Sequence, residues 1–253
     1  KKSLFVGDVK QMAPVVQIKN SKIRENGYES LVEGLNSITQ AALYPTYQLT
    51  ETRRLTDRGT AYTGIFYEYS LKSLAEHRWL EPSRLFFLNN SGGPTLLKTD
   101  MEIGELATSS AMDLTLAVVA SIHNVMKDKE IAVLTCMKET VRGLQKKINS
   151  NLKKPNLIID TVARVQGLTT DICIYVIPNT HYLRSLDPRL FNVATSRARF
   201  QTIIIVDKEI FGYSKMNYQV KEYLCKLDEE FSFYFPYSSE KLLLNPMSTN
   251  LLE

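Results

Sequence analysis

The feature that most constrains the fold is a series of short apolar runs, rich in β-branched residues, in the second half of the chain. They lie at 131–134, 157–159, 172–177 and 202–206. Runs of this length that are apolar throughout are typical of strands buried on both faces, and they are far too short to span a bilayer. Segments with apolar side chains at helical spacing lie between most of them. This alternation predicts an α/β fold with a parallel sheet covered by helices on both faces.

Apolar side chains at helical spacing also predict where the helices lie. The predicted helices are 62–77, 113–126, 139–148, 188–198 and 219–226, with a loop and then a helix within 21–42. The helix at 188 has the clearest start, because Asp187 is a favoured N-cap residue and Pro188 is favoured at the first helical position. Two further apolar runs, 4–6 and 84–88, predict strands, and the Asn, Ser, Gly and Pro residues of 89–94 predict a loop.

Charge and cysteine usage limit the functional classes. Lys and Arg number 31 against 27 Asp and Glu, so the net charge of +4 permits an anionic partner without requiring one. Cys136, Cys173 and Cys225 are far apart and imply no disulfide framework, which predicts a reducing, cytoplasmic location. The apolar runs are too short for a membrane partner to be expected. Neither the cysteines nor the histidines have the spacing of a metal site, so no metal ligand is predicted in this chain.

Two segments carry residues suited to phosphate. Arg197 and Arg199 stand at the end of the predicted 188–198 helix, and Gln166–Gly167 is a predicted turn after the 157–159 strand. A guanidinium is planar, permanently charged and able to donate two hydrogen bonds at once to phosphate oxygens. The hydroxyl of Thr161 and the free N–H groups of a strand-to-helix turn suit an oxyanion. One domain would thus hold a nucleotide phosphate and a nucleic-acid strand. The simpler alternative is an amphipathic helix whose basic side chains face water.

Two earlier segments offer side chains with similar chemistry. Gly7–Pro14 follows the predicted strand 4–6, and the amide of Gln11 within it can hydrogen-bond a terminal phosphate or an attacking water. Arg53–Arg54 adds a second pair of guanidinium groups. The alternative for the first segment is an ordinary turn capped by Asp8. The alternative for the second is a solvated surface.

Taken in order, these segments resemble the C-terminal half of a superfamily 1 helicase, close to the group that contains the nonsense-mediated-decay helicase and the RecD-type enzymes. The resemblance implies that residues 1–43 end a first RecA-like domain, and that 44–253 form a second, with the parallel sheet of a P-loop NTPase. No G-x-x-x-x-G-K-[ST] occurs in the sequence. The resemblance therefore implies a missing N-terminal RecA-like domain, with ATP and Mg²⁺ bound in the intact protein. This chain alone is expected to be inactive.

The resemblance also implies roles for individual residues. The residues expected to act on the γ-phosphate or the attacking water are Arg54, Arg197 and Gln11. The residues expected to line the nucleotide or to couple it to the strand are Gly7, Asp8, Arg53, Gln166, Gly167 and Arg199. The residues expected to contact single-stranded nucleic acid, with DNA favoured over RNA, are Pro14, Thr135 and Thr161.

Four positions depart from the family pattern. Arg53 replaces an aromatic residue and Thr140 replaces a glutamine, while Ala163 and Thr169 replace polar or acidic residues. The last three favour an alternative function, a non-catalytic nucleic-acid or protein-binding module that keeps the helicase fold. A third interpretation is a helicase-like domain that serves a nuclease or a mobile-element protein. The aromatic cluster 231–237 could stack bases, although docking against the core is favoured.

Overall fold

The computed structural model describes residues 6–12, 18–28, 47–76, 85–102, 109–152 and 157–236. The chain divides into two compact units, 1–50 and 51–253. The sequence places the domain boundary earlier, after residue 43. Three sequence features lie outside the described residues, namely Pro14, most of the strand predicted at 4–6, and the helix predicted around Leu31–Ile38.

The first unit contains helix α1, Asn20–Glu25, at a place where the sequence predicts a loop. The Ile23 N–H donates to the Lys19 carbonyl at 3.2 Å and closes the first turn. Gly27, with a φ of +72°, follows the helix, and glycine adopts this conformation at little steric cost. The loop prediction is wrong here because this short helix buries a single apolar side chain, Ile23, and so shows no apolar period.

The second unit holds the remaining described elements. The strands are β1 (Glu51–Thr52), β2 (Lys72–Ser73), β3 (Gly93–Thr99), β4 (Ile131–Thr135), β5 (Leu157–Thr161), β6 (Thr170–Ile177), β7 (Ala198–Asp207) and β8 (Ser232–Phe235). The α-helices are α2 (Asp57–Thr63), α3 (Ser109–Val125), α4 (Lys138–Asn151), α5 (Tyr182–Ser185), α6 (Pro188–Thr195) and α7 (Tyr218–Glu230). Short 3₁₀ turns occupy Gly64–Tyr67, Asn179–His181 and Ile210–Gly212. None of the described helices is long and apolar enough to cross a membrane.

Six of the described strands form one sheet in the order β5-β4-β6-β7-β3-β8. Every pairing in it is parallel. Strands β1 and β2 form a separate parallel pair. Since parallel neighbours need crossover connections, the chain leaves each strand at the carboxyl edge of the sheet and returns at the amino edge. The predicted α/β, RecA-like fold class is confirmed.

Both faces of the sheet are covered by helices. Ile174 and Ile203 are register partners on β6 and β7, and both belong to the apolar core that also contains the buried residues of α3 and α4. Tyr175 lies on the opposite face, with its ring centroid 6.0 Å from that of Phe191 in α6. The central residues of β4, β6 and β7 are apolar because both faces of the sheet are removed from water there.

Helix α6 begins where the sequence predicts. The carboxylate of Asp187 accepts two backbone N–H groups of the first turn at 3.0 Å each, and Pro188 is the first helical residue. The helix ends at Thr195, earlier than predicted. The carbonyl of Arg197 instead accepts the N–H of Thr170 at the start of β6, at 3.2 Å, and so joins the amino edge of the sheet.

The helix predicted at 62–77 is wrong in both of its limits. Helix α2 starts earlier, where the Thr56 hydroxyl accepts the Gly59 N–H at 3.1 Å. The helical path ends at Glu68 and Tyr69, whose φ angles of +53° and +58° are left-handed. Residues with a Cβ rarely adopt this conformation, and it cannot continue a right-handed helix. Apolar spacing alone does not reveal this reversal.

The strand predicted at 84–88 is also wrong. In its described part the Leu88 N–H donates to the Leu85 carbonyl at 2.9 Å and forms a turn. Leu85, Phe87 and Leu88 are all buried, so the run is apolar because it packs in the core and not because it pairs. The strand at this place is β3, which begins inside the predicted loop 89–94 and lies between β7 and β8.

The aromatic tail docks against the core. Strand β8 pairs with β3, with Leu96 opposite Ser232. The rings of Phe233 and Phe235 lie 5.2 Å and 6.1 Å from the ring of Phe86. Docking, the favoured of the two interpretations, is confirmed for the described part of the cluster.

All three cysteines are free thiols. Cys136 and Cys173 are buried, whereas Cys225 is half-buried. Burial raises the pKa of Cys173 to about 12, which keeps this thiol neutral and unreactive near neutral pH.

Candidate functional site

The carboxyl edge of the sheet holds both threonines that were predicted to contact nucleic acid. Thr135 ends β4, Thr161 ends β5, and the two are register partners. Thr135 is fully buried and its Oγ1 has no hydrogen-bond partner. Thr161 is 6% exposed, and its N–H donates to Asp160 Oδ1 at 2.7 Å. The structure places the two residues side by side at the carboxyl edge, with both side chains beneath the surface.

One loop, residues 162–169, connects this edge to the start of β6. It contains the predicted Gln166–Gly167 turn, in which both residues are exposed and Gly167 has a φ of +92°. The Leu168 N–H donates to the Val165 carbonyl at 2.9 Å and closes the turn. The Leu168 carbonyl in turn accepts from Arg197 Nη1 at 3.5 Å. A single short loop therefore begins beside Thr161, predicted to contact nucleic acid, and contacts Arg197, predicted to contact the nucleotide.

Arg197 lies at the amino edge, just before β7, and only 2% of it is exposed. Its Nε donates to the Val193 carbonyl at 2.8 Å, and its Nη2 donates to Ser196 Oγ at 3.0 Å. With the Leu168 contact, these acceptors hold the guanidinium inside the second unit. The amphipathic-helix alternative, with basic side chains in water, is wrong for this residue. A γ-phosphate role would require the guanidinium to leave its present acceptors.

Arg199, near the start of β7, contacts carboxylates at the amino ends of β6 and β4. Its Nη1 donates to Asp171 Oδ1 at 3.1 Å and lies 3.6 Å from Glu130 Oε2. Because the arginine side chain is 39% exposed, the pairs contribute only about 0–1 kcal/mol to stability. A shallow depression, lined in part by Gly93 and Tyr223, opens beside Arg199.

Arg54 follows β1 and is half-buried, whereas the preceding Arg53 is exposed. Burial lowers the pKa of Arg54, and the nearby Tyr67 phenol opposes that shift. A guanidinium nevertheless stays charged in proteins. The Tyr67 hydroxyl accepts a hydrogen bond from Asn192 Nδ2 at 3.0 Å. Tyr67 is thereby joined to α6, the helix that precedes Arg197.

Sequence reasoning missed three residues of this region, namely Tyr67, Asn192 and Arg58. Arg58 Nη1 donates to the Gly92 carbonyl at 3.2 Å and to the Pro94 carbonyl, so it ties α2 to the start of β3. No spacing in the sequence marks these contacts, because each joins segments that are far apart in the chain.

Replacing Gly93 by alanine is expected to destabilise the amino edge. Gly93 has a φ of +78°, and a Cβ at this position would lie 2.9 Å from the backbone nitrogen of Gly59. The left-handed backbone and the overpacking together should cost about 3 kcal/mol of unfolding free energy, measurable by chemical denaturation. Gly212→Ala is the matched control, because a Cβ there meets nothing within 4 Å. Equal losses in the two variants would contradict this account.

The first unit contains the remaining described candidates, Gly7, Asp8 and Gln11. Asp8 Oδ1 accepts the Lys10 N–H at 2.9 Å, and the Asp8 carbonyl accepts the Gln11 N–H at 3.3 Å. Gly7 and Asp8 are exposed, and Gln11 is half-buried. The local geometry is that of an Asp-capped turn, so the nucleotide role of these residues stays a prediction.

The comparisons with known proteins identify the family. The family model described as an AAA domain matches residues 43–209, which is more than half of the chain. The chain therefore belongs to the AAA-domain family. No curated protein sequence matches the chain.

Two solved structures are similar to parts of the chain. One is the C-terminal domain of a possible DNA helicase from Lactobacillus plantarum WCFS1, at 15% identity and a TM-score of 0.40, covering 64% of this chain and 99% of that one. The other is the Hef helicase domain from Pyrococcus furiosus, at 15% identity and a TM-score of 0.31, covering 42% of this chain and 28% of that one.

Proposed function

We propose that this chain is the C-terminal, arginine-supplying portion of an ATP-dependent nucleic-acid helicase or translocase of superfamily 1, in the group of the nonsense-mediated-decay and RecD-type enzymes. Motif order and AAA-domain membership support the proposal. The observation that carries it is the loop 162–169, which starts beside Thr161 at the carboxyl edge and contacts the Arg197 guanidinium at the amino edge. A motor of this kind needs such a link, because nucleotide state must change the grip on the strand.

The nucleotide would lie between this chain and the preceding RecA-like domain, which would hold Mg²⁺ and the P-loop. Bound ATP supplies the phosphoryl group that water attacks. Arg54 fits a contact with the γ-phosphate oxygens, because it is permanently charged and only half-buried. In its present position Arg197 does not fit such a contact, because its guanidinium donates hydrogen bonds to Val193 and Ser196 of the same chain. Within the described ranges, no group of His, Cys, Asp or Glu could hold a metal ion.

The nucleic-acid partner would lie along the carboxyl edge of the sheet. The exposed Gln166–Gly167 turn offers the Gln166 side-chain amide and main-chain N–H groups to strand phosphates. Thr135 would support this edge from below, because its side chain is buried. Contacts to phosphate carry no sequence information, so binding should be independent of sequence. We propose single-stranded DNA as the preferred strand and the cytoplasm as the location.

The second candidate is a non-catalytic binding module with the same fold. Two observations favour it, since Arg197 is turned inward and Arg199 is paired with carboxylates. The half-buried Arg54 favours the motor, because a binding module has no need of a partly buried guanidinium.

Steady-state ATPase measurements on the intact protein, with its preceding domain, test the proposal. We expect hydrolysis that single-stranded DNA stimulates and that added salt suppresses, since the grip is on phosphates. The 253-residue chain alone should hydrolyse nothing. Single-stranded RNA in place of DNA decides the preferred strand. An intact protein without strand-stimulated hydrolysis would be a binding module, and hydrolysis by the chain alone would contradict the division of roles.

A further inference from the structure

We propose that three exposed basic side chains at the carboxyl edge of the sheet, Lys138, Arg164 and Arg184, hold the phosphates of a bound single strand. These three residues are called the basic row below. Leu183, which precedes Arg184, would contact the bases or sugars of the same strand. This inference rests on the proposed function, and it assigns the strand contact to residues that the sequence did not single out.

The hydrogen-bond donors that follow β5 are already used within the chain. The Thr161 N–H donates to Asp160 Oδ1 at 2.7 Å. The Val162 N–H donates to the Thr135 carbonyl at 2.9 Å, and the next donor, the Arg164 N–H, donates to the Thr161 carbonyl at 3.0 Å. Both threonine side chains are buried. A phosphate at this edge therefore needs donors that extend beyond the surface, and long basic side chains provide them.

The strand ends that carry the basic row are neighbours. Strands β5, β4 and β6 are adjacent in the sheet, and adjacent strands lie about 4.8 Å apart. Arg164 is held at the end of β5 by its hydrogen bond to the Thr161 carbonyl. Lys138, the first residue of α4, follows the end of β4. Arg184 belongs to the same edge, because its carbonyl lies 3.9 Å from the Sγ of Cys136, directly after β4.

The side chains of the basic row are accessible to a ligand. The Arg164 side chain is 72% exposed, and its ion pair with Asp160, at 3.5 Å, is open to water. Exposed pairs of this kind are weak, so a phosphate can compete for the guanidinium. Lys138 and Arg184 are exposed as well. Leu183 is 78% exposed, and an apolar side chain beside cations suits a nucleic acid, which offers bases and sugars next to its phosphates.

The first test measures binding of a short oligodeoxythymidylate to the 253-residue chain without ATP, by fluorescence anisotropy over a series of salt concentrations. Each phosphate that a cation neutralises contributes about 0.7 to the slope of log K against log salt for a single strand. Replacing all three residues of the basic row by glutamine should therefore make the slope shallower by about 2. An unchanged slope, or no binding by the unsubstituted chain, would overturn the proposal.

A second triple variant is the matched control for total charge. Lys127, Lys215 and Lys221 are exposed, and they lie before β4 or between β7 and β8, away from the basic row. Replacing these three lysines by glutamine removes the same charge and should leave the slope unchanged. Because both triple variants alter only exposed side chains, their free energies of unfolding should stay close to that of the unsubstituted chain. Equal changes of slope in the two variants would reduce the basic row to an ordinary solvated surface.

Leu183→Ala separates the contact with bases or sugars from the contact with phosphates. It should weaken binding of the oligodeoxythymidylate about 3-fold to 10-fold, with the same salt slope, because no charge is removed. Inorganic polyphosphate, which has charges but no bases or sugars, should bind this variant and the unsubstituted chain equally. Val125→Ala, at an exposed apolar residue in α3, should bind the oligonucleotide normally. If Leu183→Ala did so too, this part of the proposal would be wrong.

The basic row and the proposed function fail separately. If the intact protein shows no strand-stimulated ATP hydrolysis while the slope depends on the basic row, the motor is wrong and the row is the binding surface of the second candidate, the binding module. If single strands stimulate hydrolysis and the slope does not depend on the row, the motor stands and the basic row is rejected.

Discussion

Replacing Arg197 by alanine should lower the free energy of unfolding of this chain by about 3 kcal/mol. The guanidinium is 2% exposed and donates to the carbonyls of Val193 and Leu168 and to Ser196 Oγ. Alanine would leave these acceptors without their donor in a region closed to water, and it would also leave a cavity. Chemical denaturation followed by circular dichroism measures the loss.

Two variants serve as matched controls for Arg197→Ala. Arg197→Lys keeps the charge but not the forked donor, so an intermediate loss is expected. Arg142→Ala removes an exposed arginine on α4, and its effect should stay within about 0.5 kcal/mol. If Arg197→Ala were as stable as Arg142→Ala, the guanidinium would not be held inside in solution. It would then have the outward orientation that a γ-phosphate role requires.

Replacing Arg54 by alanine should lower kcat for ATP in the intact protein about 10³-fold, as expected for the loss of an arginine that stabilises the transferring phosphoryl group. The free energy of unfolding should fall by less than about 1 kcal/mol, since Arg54 is only half-buried and its loss leaves the packed core intact. Steady-state turnover at saturating single-stranded DNA, together with a denaturation curve, separates these two effects.

The comparison with Arg54→Lys shows whether geometry or charge matters at this position. Lysine keeps the charge and loses the planar fork, so turnover should be restored only in part. Arg142→Ala, which lies on the exposed face of α4, should hydrolyse ATP at the normal rate. Unchanged turnover in Arg54→Ala would remove this residue from the γ-phosphate and would favour the binding module.

The elements that could be predicted from the sequence are those whose local pattern has one physical cause. The apolar runs within β4, β6 and β7 exist because both faces of the sheet are covered there, and these runs predict strands correctly. The start of α6 was evident because Asp187 and Pro188 satisfy a helix N-terminus by themselves. The strand predicted at 84–88 is wrong because an apolar run indicates only burial, and a buried turn can be as apolar as a buried strand.

The sequence by itself determined the fold class, the order of the candidate motifs and the edge of the sheet at which Thr161 lies, because hydrophobic periodicity and chain direction are local properties. Only the tertiary structure decided where the arginines point. Arg197 is turned into the second unit by carbonyls of α6 and the 162–169 loop, and Arg199 donates to Asp171 at the start of β6. Such contacts depend on which distant segments the fold brings within hydrogen-bond range. Residue spacing along the chain does not show which segments these are.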